Sequence, residues 1–432
     1  MGKPIPETKW RRGMVGGRTA ARLGGSFITY LVKQPFLSES GRRSAREDLD
    51  RQSAKVLFKT MSLLRGTALK VAQQLSLETD IFPDSVRKEL EKSYHQVPPI
   101  NRALVRKVIR KELGDSPENL FSSFDDTAFA AASLGQVHRA ISRDGEALAV
   151  KVQYPGIGST IESDIGLVRS MLRPLGEYDL LKPALDEIQA RLLEEIDYLR
   201  EAENIRFFQT GIHMTGIRIP RVHEETCNPA VISTDLFQGI PLDLWLEQDP
   251  SQEERDRVAQ TLQDFFIQCL YGLSCIHADP NPGNFIIGDD LTVGVVDFGC
   301  VKHLDREFTE KYARLPGVVL KGDKRGWFDL LDDFHLVSPD ADPADREEVF
   351  EAFVALRPIL CRLYEEDAFD FSQNTDVFTG LKPIRERIYK VRHHMDMNPD
   401  FVFLDRTRYG LLRIFEKMRA RVIFRNDREW PV

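Results

Sequence analysis

The stretch "HADPNPGNFIIGDDLTVGVVDFG", from His277 to Gly299, sets two carboxylates and an amide at a definite spacing. Asp279 and Asn284 are five apart, and Asp297 opens Asp-Phe-Gly thirteen positions after Asn284. Carboxylate and amide oxygens are hard ligands that suit a divalent cation such as magnesium. A further carboxylate can accept a hydroxyl proton or orient a water. Together these groups serve phosphoryl transfer, where positioning and charge neutralisation supply most of the rate. In this reading Asn284 and Asp297 hold Mg²⁺ and Asp279 is the base. Each short motif alone occurs by chance. Three in order, joined by a predicted hairpin, make a merely structural turn a poor explanation.

The spacing is that of a protein-kinase catalytic loop, which predicts a nucleotide-binding sheet upstream. In "EALAVKVQYPG", Ala149 and Lys151 alternate onto one strand face. A small Ala149 leaves room for adenine, and Lys151 can reach the α- and β-phosphates of ATP. A kinase lysine needs an acidic partner on a neighbouring helix. "LLEEIDYLREAENIRFF" offers Glu194, Glu195, Asp197 and Glu201, the last two sharing a face if the helix is continuous. Ahead of the lysine strand, "AFAAASLGQVHRA" puts Ala130, Ala131, Ala132 and Ser133 where a phosphate-cradling loop usually carries glycine. Alanine largely forbids φ > 0 and adds methyl groups near the phosphate oxygens. Two readings follow: a stiffer loop with a looser γ-phosphate grip or a preference for ADP, or plain packing. Asp235 and Phe237, at the strand-to-connector junction, complete the expected nucleotide contacts.

These residues need elements to hold them. Helical spacing runs over Ala45–Glu78, "IFPDSVRKELEKSYHQ" forms a second helix, and Asn101 caps a third that Gly114 closes. "QVHRAI" and "ALAVKVQY" read as a hairpin through "SRDGE". Helices are predicted over Ser159–Leu172 and Pro183–Phe208, a strand in "PAVISTDLFQG", a helix through "RDRVAQTLQDFFIQCLYGLSCI", and mostly helix after Leu304. The resulting fold class is α+β, protein-kinase-like and two-lobed, with a cleft at the connector. Residues 1–45 form a basic glycine-rich segment, 46–115 a helical extension, 116–238 the N-lobe and 239–432 the helical C-lobe.

The chain has 432 residues and a net charge of −8, which argues against a generic nucleic-acid partner. Five scattered cysteines without CxxC spacing point to a reduced compartment, hence a cytoplasmic location without a thiolate metal site. No apolar run is long enough for a transmembrane helix, and no secretory signal is evident. Up to Lys33, seven basic residues face one acid, Glu7. That arm reads either as a contact for an anionic membrane surface or as a solvated tail.

"LKVAQQLS", "AAASLGQVHRA", "VKVQYPG", "EEIDYLREAEN", "HADPNPGN" and "DFG" together resemble the UbiB-type (AarF/UbiB) atypical kinase-like family tied to coenzyme Q (ubiquinone) biosynthesis. The likeness is densest from Arg65 to Asp305. It implies an ATP- and Mg²⁺-dependent kinase or ATPase, with an alanine-rich loop in place of the glycine-rich one. It implies that Glu201 partners Lys151, and that Glu195 and Asp197 form the family's Glu-x-Asp. The family's Lys-x-Gly-Gln falls on Lys70, Val71, Ala72 and Gln73, with Ala72 in place of glycine. That helix would lie over the nucleotide cleft, with Lys70 directed at Glu195 or Asp197, blocking a peptide substrate. Implied partners are quinone-biosynthesis proteins or quinone precursors at a membrane surface. "HAD" lacks the arginine of His-Arg-Asp, and no Ala-Pro-Glu follows Gly299. A small-molecule phosphotransferase of the aminoglycoside or choline type therefore stands as one alternative, and a nucleotide-binding scaffold without turnover as another.

Overall fold

The computed structural model describes residues 101–132, 134–173, 178–374 and 398–429, with isolated positions before 101 and between 384 and 396. The expected helices before Asn101, including Lys70 and Gln73, lie outside the described residues, as does Ser133; Val71 is described as a fully buried helical position. The chain divides into two units. One runs to Arg200 and takes back Val222–Leu236; the other comprises Glu201–Arg221 and Phe237–Val432.

In the first unit, α1 (Arg102–Leu113) begins where Asn101 Oδ1 accepts the Ala103 amide at 2.9 Å and ends at Gly114 with φ 83°. Both caps are those the sequence predicts. The buried side of α1, Val105, Val108 and Ile109, packs on a four-stranded antiparallel sheet. Its strands are β1 (Ser123–Ala132), β2 (Gly135–Ile141), β3 (Ala147–Gln153) and β5 (Val231–Asp235), in the order β1-β2-β3-β5. β3 alternates as a half-buried strand should: Leu148, Val150 and Val152 join the α1 core, while Ala149, Lys151 and Gln153 face the other way. Each of those buried side chains contributes about 1.5–3 kcal/mol.

Two expectations are corrected here. The alanines are not a loop. Ala130, Ala131 and Ala132 are the end of β1, in register with Val137, Gln136 and Gly135. Alanine reaches the extended φ of a strand without strain, so β1 stays paired through Ala132, opposite Gly135 of β2. The helix predicted over Pro183–Phe208 is broken. After α2 (Ile157–Leu172), α3 (Tyr178–Glu195) stops at Ile196–Asp197, and α4 (Tyr198–Gly211) starts anew. The Asp197 carboxylate accepts the Leu199 amide at 3.1 Å as a cap, and Gln153 Nε2 donates to the Ile196 carbonyl at 2.6 Å. Asp197 and Glu201 therefore do not share a continuous helical face.

The second unit holds a small sheet of β4 (Ile217–Arg218), β6 (Ile240–Pro241), β8 (Phe285–Ile287) and β9 (Val293–Val295), in the order β4-β9-β8-β6. β8 and β9 are the predicted hairpin. α5 (Gln252–Ile267) opens on a Ser251–Glu254 capping box and passes into a π-helical turn, Gln268–Gly272. The expected helix does not continue through Cys275 and Ile276, which belong to β7 (Cys275–His277), paired with β10 (Val301–His303). Beyond Leu304 the chain is mainly helical, ending in α6 (Pro399–Met418) and the short pair β11 (Phe369–Asp370) and β12 (Arg421–Val422). Near the C-terminus the fully buried Glu429 carboxylate accepts from Tyr271 Oη at 2.8 Å, Tyr364 Oη at 2.9 Å and Asn426 Nδ2 at 3.1 Å, and pairs with Arg408 of α6.

Candidate active site

The second unit brings Asp279, Asn284 and Asp297 onto one frame. β7 ends at His277. Its pairing with β10 fixes the Ala278 amide on the Cys300 carbonyl at 2.9 Å, so the residues that lead into Asp279 and those that follow Asp297 run side by side. Asn281 caps the single 3₁₀ turn Pro282–Asn284 through the Gly283 amide. Asn284 is therefore held at the root of β8, where its carbonyl accepts the Val296 amide at 3.1 Å, one residue before Asp297. Asn284 Nδ2 donates to Asp279 Oδ2 at 2.9 Å and to the Asp279 carbonyl at 3.2 Å. That use of the amide nitrogen directs the amide oxygen away from the carboxylate. Asp297 Oδ1 accepts the Gly299 amide at 2.9 Å.

The frame is stiffened from behind. His277 Nε2 donates to the Asp297 carbonyl at 2.5 Å. Phe298 is fully buried, with ring centroids 5.1 Å from Phe208 and 5.3 Å from His277. Asn204 Nδ2 donates to the Phe298 carbonyl at 2.9 Å. Ala278 is 2 % exposed, which leaves no room for the arginine that protein kinases carry there. After Gly299 the chain enters β10 and then a helix at Arg306, with no extended segment between.

A magnesium ion fits this donor set. The Asn284 amide oxygen and the Asp297 carboxylate are hard oxygens, and Mg²⁺ usually takes one or two protein ligands plus water and phosphate oxygens rather than a protein cage. No cluster of three His, Cys, Asp or Glu side chains suited to a metal occurs among the described residues.

In the first unit, Lys151 lies on β3 between Val137 of β2 and Ile232 of β5. Ala149 and Thr234 are a register pair on the same face, and Ala130 pairs with Val137. Lys151 Nζ stands 5.0 Å from the ring centre of Tyr198, a fully buried side chain. The Tyr198 amide donates to the Pro229 carbonyl at 3.1 Å. Gly135 is needed for this approach, since a Cβ there would stand 2.4 Å from the Val152 carbonyl oxygen and 2.9 Å from Tyr198 Oη. Tyr198, Asn204 and His277 are contributors that sequence reasoning did not single out. Asn204 and Tyr198 lie inside the quoted "EEIDYLREAEN", so the motif was seen without its division of labour.

The remaining expected residues are placed within their own units. Glu195 is the half-buried last residue of α3, and Glu201, 3 % exposed, lies in the first turn of α4. Lys151 belongs to the first unit and Glu201 to the second. The Asp235 carboxylate takes His223 Nε2 at 2.8 Å, with Glu146 and Glu225 each 3.7 Å from the other ring nitrogen. Phe237 packs on β9 at Gly294, with the Arg218 guanidinium 5.7 Å from its ring centre. Each of these partners lies in the same unit as the residue it contacts.

Comparison with known proteins gives this geometry a family. A profile described as "ABC1 atypical kinase-like domain" matches residues 92–330, more than half of the chain. The chain belongs to the ABC1 atypical kinase-like family. Among its relatives, "Atypical kinase COQ8B, mitochondrial" of Danio rerio is 27 % identical over 98 % of this chain and 68 % of its own length. "Atypical kinase COQ8, mitochondrial" of Schizosaccharomyces pombe is 32 % identical over 72 % of this chain and 51 % of its own length. The chain thus spans about two thirds of the first relative and half of the second. Among solved structures, an Rv3197–erythromycin complex from Mycobacterium tuberculosis superposes with a TM-score of 0.59 and 24 % identity, covering 89 % of this chain and 96 % of that one. That likeness establishes the α+β kinase-like fold expected of an ABC1 chain. The UbiB-type resemblance is likewise upheld. No helix among the described residues of this ABC1 protein is long and apolar enough to cross a membrane.

Proposed function

We propose that this ABC1 chain is an ATP- and Mg²⁺-dependent phosphotransferase or ATPase that supports isoprenoid-quinone biosynthesis, coenzyme Q in the first instance, at a membrane surface. The observation that carries the proposal is the Asp279–Asn284 hydrogen bond on the same hairpin root as Asp297. Magnesium-bound ATP supplies the electrophilic γ-phosphorus. Asp279 accepts the proton of the attacking hydroxyl or water. Asn284 serves twice, its Nδ2 orienting Asp279 while its amide oxygen would be a ligand of the metal when bound. Asp297 brings the charged metal ligand, kept in place by the Gly299 amide and by His277 on its backbone. Lys151 is assigned to the nucleotide phosphates on its strand face, with Ala149 beside the base. The short passage from Gly299 to the helix at Arg306 favours water or a small hydroxylated molecule over a protein substrate. Membrane contact is peripheral, through the basic segment up to Lys33.

The test is ATP hydrolysis by the purified protein against Mg²⁺ concentration, with and without a phenolic quinone precursor. Asp297→Asn should lower kcat roughly 10²-fold, about 3 kcal/mol of lost transition-state stabilisation. Asp279→Asn should abolish turnover while leaving Mg²⁺–nucleotide binding intact. Unchanged hydrolysis in both variants would dismiss the assignment.

A further inference from the structure

The matched family region ends at residue 330, yet a helix well beyond it reaches the catalytic loop. α6 passes behind Pro280, the residue between Asp279 and Asn281. At the crossing stands Gly410. A Cβ placed on it would lie 2.2 Å from Pro280 Cγ, 3.1 Å from its Cβ and 3.6 Å from its Cδ. The first distance is far inside van der Waals contact, and the obstacle is a rigid pyrrolidine ring rather than the tip of a flexible chain. Glycine in a helix interior costs about 0.5–1 kcal/mol against alanine, so α6 bears a cost at this position.

Pro280 has little room to retreat. Leu411, the next residue of α6, joins Pro280, His277, Phe285 and Leu262 around a void of about 10 Å³. A void of that size is at the lower limit for one water molecule. α6 is itself fixed at two points on the N-terminal side of the crossing. At its N-terminal end, Asp400 pairs with Lys302 of β10 at 2.6 Å, three residues after the Asp-Phe-Gly. Nearer the crossing, Arg408 is inserted between the rings of Phe266 and Tyr312, at 5.3 and 5.1 Å, and is paired with the buried Glu429.

We infer that Gly410 is a positioning residue: α6 is the backstop of the catalytic loop, and its glycine sets how far Pro280, and with it Asp279 and Asn284, can settle into the second unit. The inference rests on the phosphoryl-transfer reading for its kinetic consequence but not for its geometry. A methyl group at position 410 pushes Pro280 outward. Asp279 is covalently adjacent to it, and Asn284 is tied to Asp279 by its amide. Displacements of about 1 Å at reacting groups can cost about 10²-fold in rate.

The experiment is a cycle of Gly410→Ala, Pro280→Ala and the double variant in the full chain. Activity and amide hydrogen exchange across residues 278–285 are both followed. Gly410→Ala should lower kcat by about 10²-fold with a much smaller change in the KM for ATP, and speed exchange in the loop. Pro280→Ala removes Cγ and Cδ, the atoms in the way of the new methyl. The double variant should therefore recover to the level of Pro280→Ala alone. If Gly410→Ala does not fold, the double variant must fold. Additive losses in the cycle, or a Gly410→Ala protein with wild-type turnover and wild-type exchange, would overturn the inference. Wild-type protein without turnover would instead sink the functional reading, while the exchange arm still decides the role of Gly410.

Discussion

Consider the replacement of Glu429 by glutamine. Its carboxylate is 0 % exposed and collects two tyrosine hydroxyls, one asparagine amide and the Arg408 guanidinium. Arg408, 22 % exposed at its side chain, has its Nε buried without a hydrogen-bond partner among the described residues. Removing the negative charge leaves that guanidinium without its anionic partner and presents an NH₂ group where donors already point. Breaking one side of a buried pair costs about 3–5 kcal/mol. For a unit of 150–250 residues each kcal/mol moves the melting point by about 2–4 °C, so the second unit should melt roughly 6–20 °C lower. Scanning calorimetry reads the shift. Tyr364→Phe, which deletes one hydrogen bond to a charged acceptor, should cost only about 1.5–3 kcal/mol. An apolar pair, Arg408→Met with Glu429→Leu, should regain much of the loss, because neither charge is then left alone. A Glu429→Gln loss below about 1 kcal/mol, or a double variant no better than the single, would refute the claim that this network braces the C-terminal segment.

Other outcomes follow from the same structure. His138 is fully buried, its Nδ1–H on the Asp125 carbonyl and its Nε2 accepting from Gln136, and burial lowers its pKa from the ordinary 6.5. Its stabilising contribution is complete above 6.5 and lost as pH falls through 6.5 towards the depressed folded value, so the first unit's urea midpoint should drop over that range and His138→Gln should flatten the dependence. Ala131→Gly and Ala132→Gly should change the ATP-to-ADP affinity ratio by calorimetry at a stability cost of at most about 1 kcal/mol; identical ratios would assign the alanines to strand packing alone. Deleting residues 1–33 should weaken sedimentation with anionic vesicles, and raised salt should weaken it in the intact chain; failure of the full chain to sediment at low salt would remove the membrane arm.

The parts of the fold legible in the sequence are those that local chemistry decides. The Asn101 and Gly114 caps, the hairpin between β2 and β3 and the β8–β9 hairpin each follow from a few adjacent residues. The same holds for the alternation that sets Ala149 and Lys151 on one face. The misreadings share a different cause. "LSCIHA" is a short apolar run whose period is compatible with helix or strand, and only its pairing with Val301–His303 decides for β7. The break at Ile196–Asp197 carries no proline or glycine; it is made by Gln153 from another strand and by Asp197 acting as a cap. The alanines were weighed by analogy with a glycine loop, whereas their register with β2 makes them strand. In the site, Asp279, Asn284 and Asp297 stand out in the sequence because their chemistry is in their type. Tyr198, Asn204 and Gly410 were not, because each acts by where it stands.

The order of synthesis matters for a chain divided in this way. The sheet of the first unit is incomplete until its edge strand, β5, has emerged, and by then α4 has already been made. α4 carries Phe208, whose ring neighbours Phe265 and Phe298 lie far downstream, the latter about 90 residues later. At translation speeds of about 5–20 residues per second, that aromatic face waits roughly 5–20 s for its partners. The interval is long enough for a chaperone to bind it, so the helix that will brace the Asp-Phe-Gly presents an unpartnered aromatic face while the nascent chain is still growing.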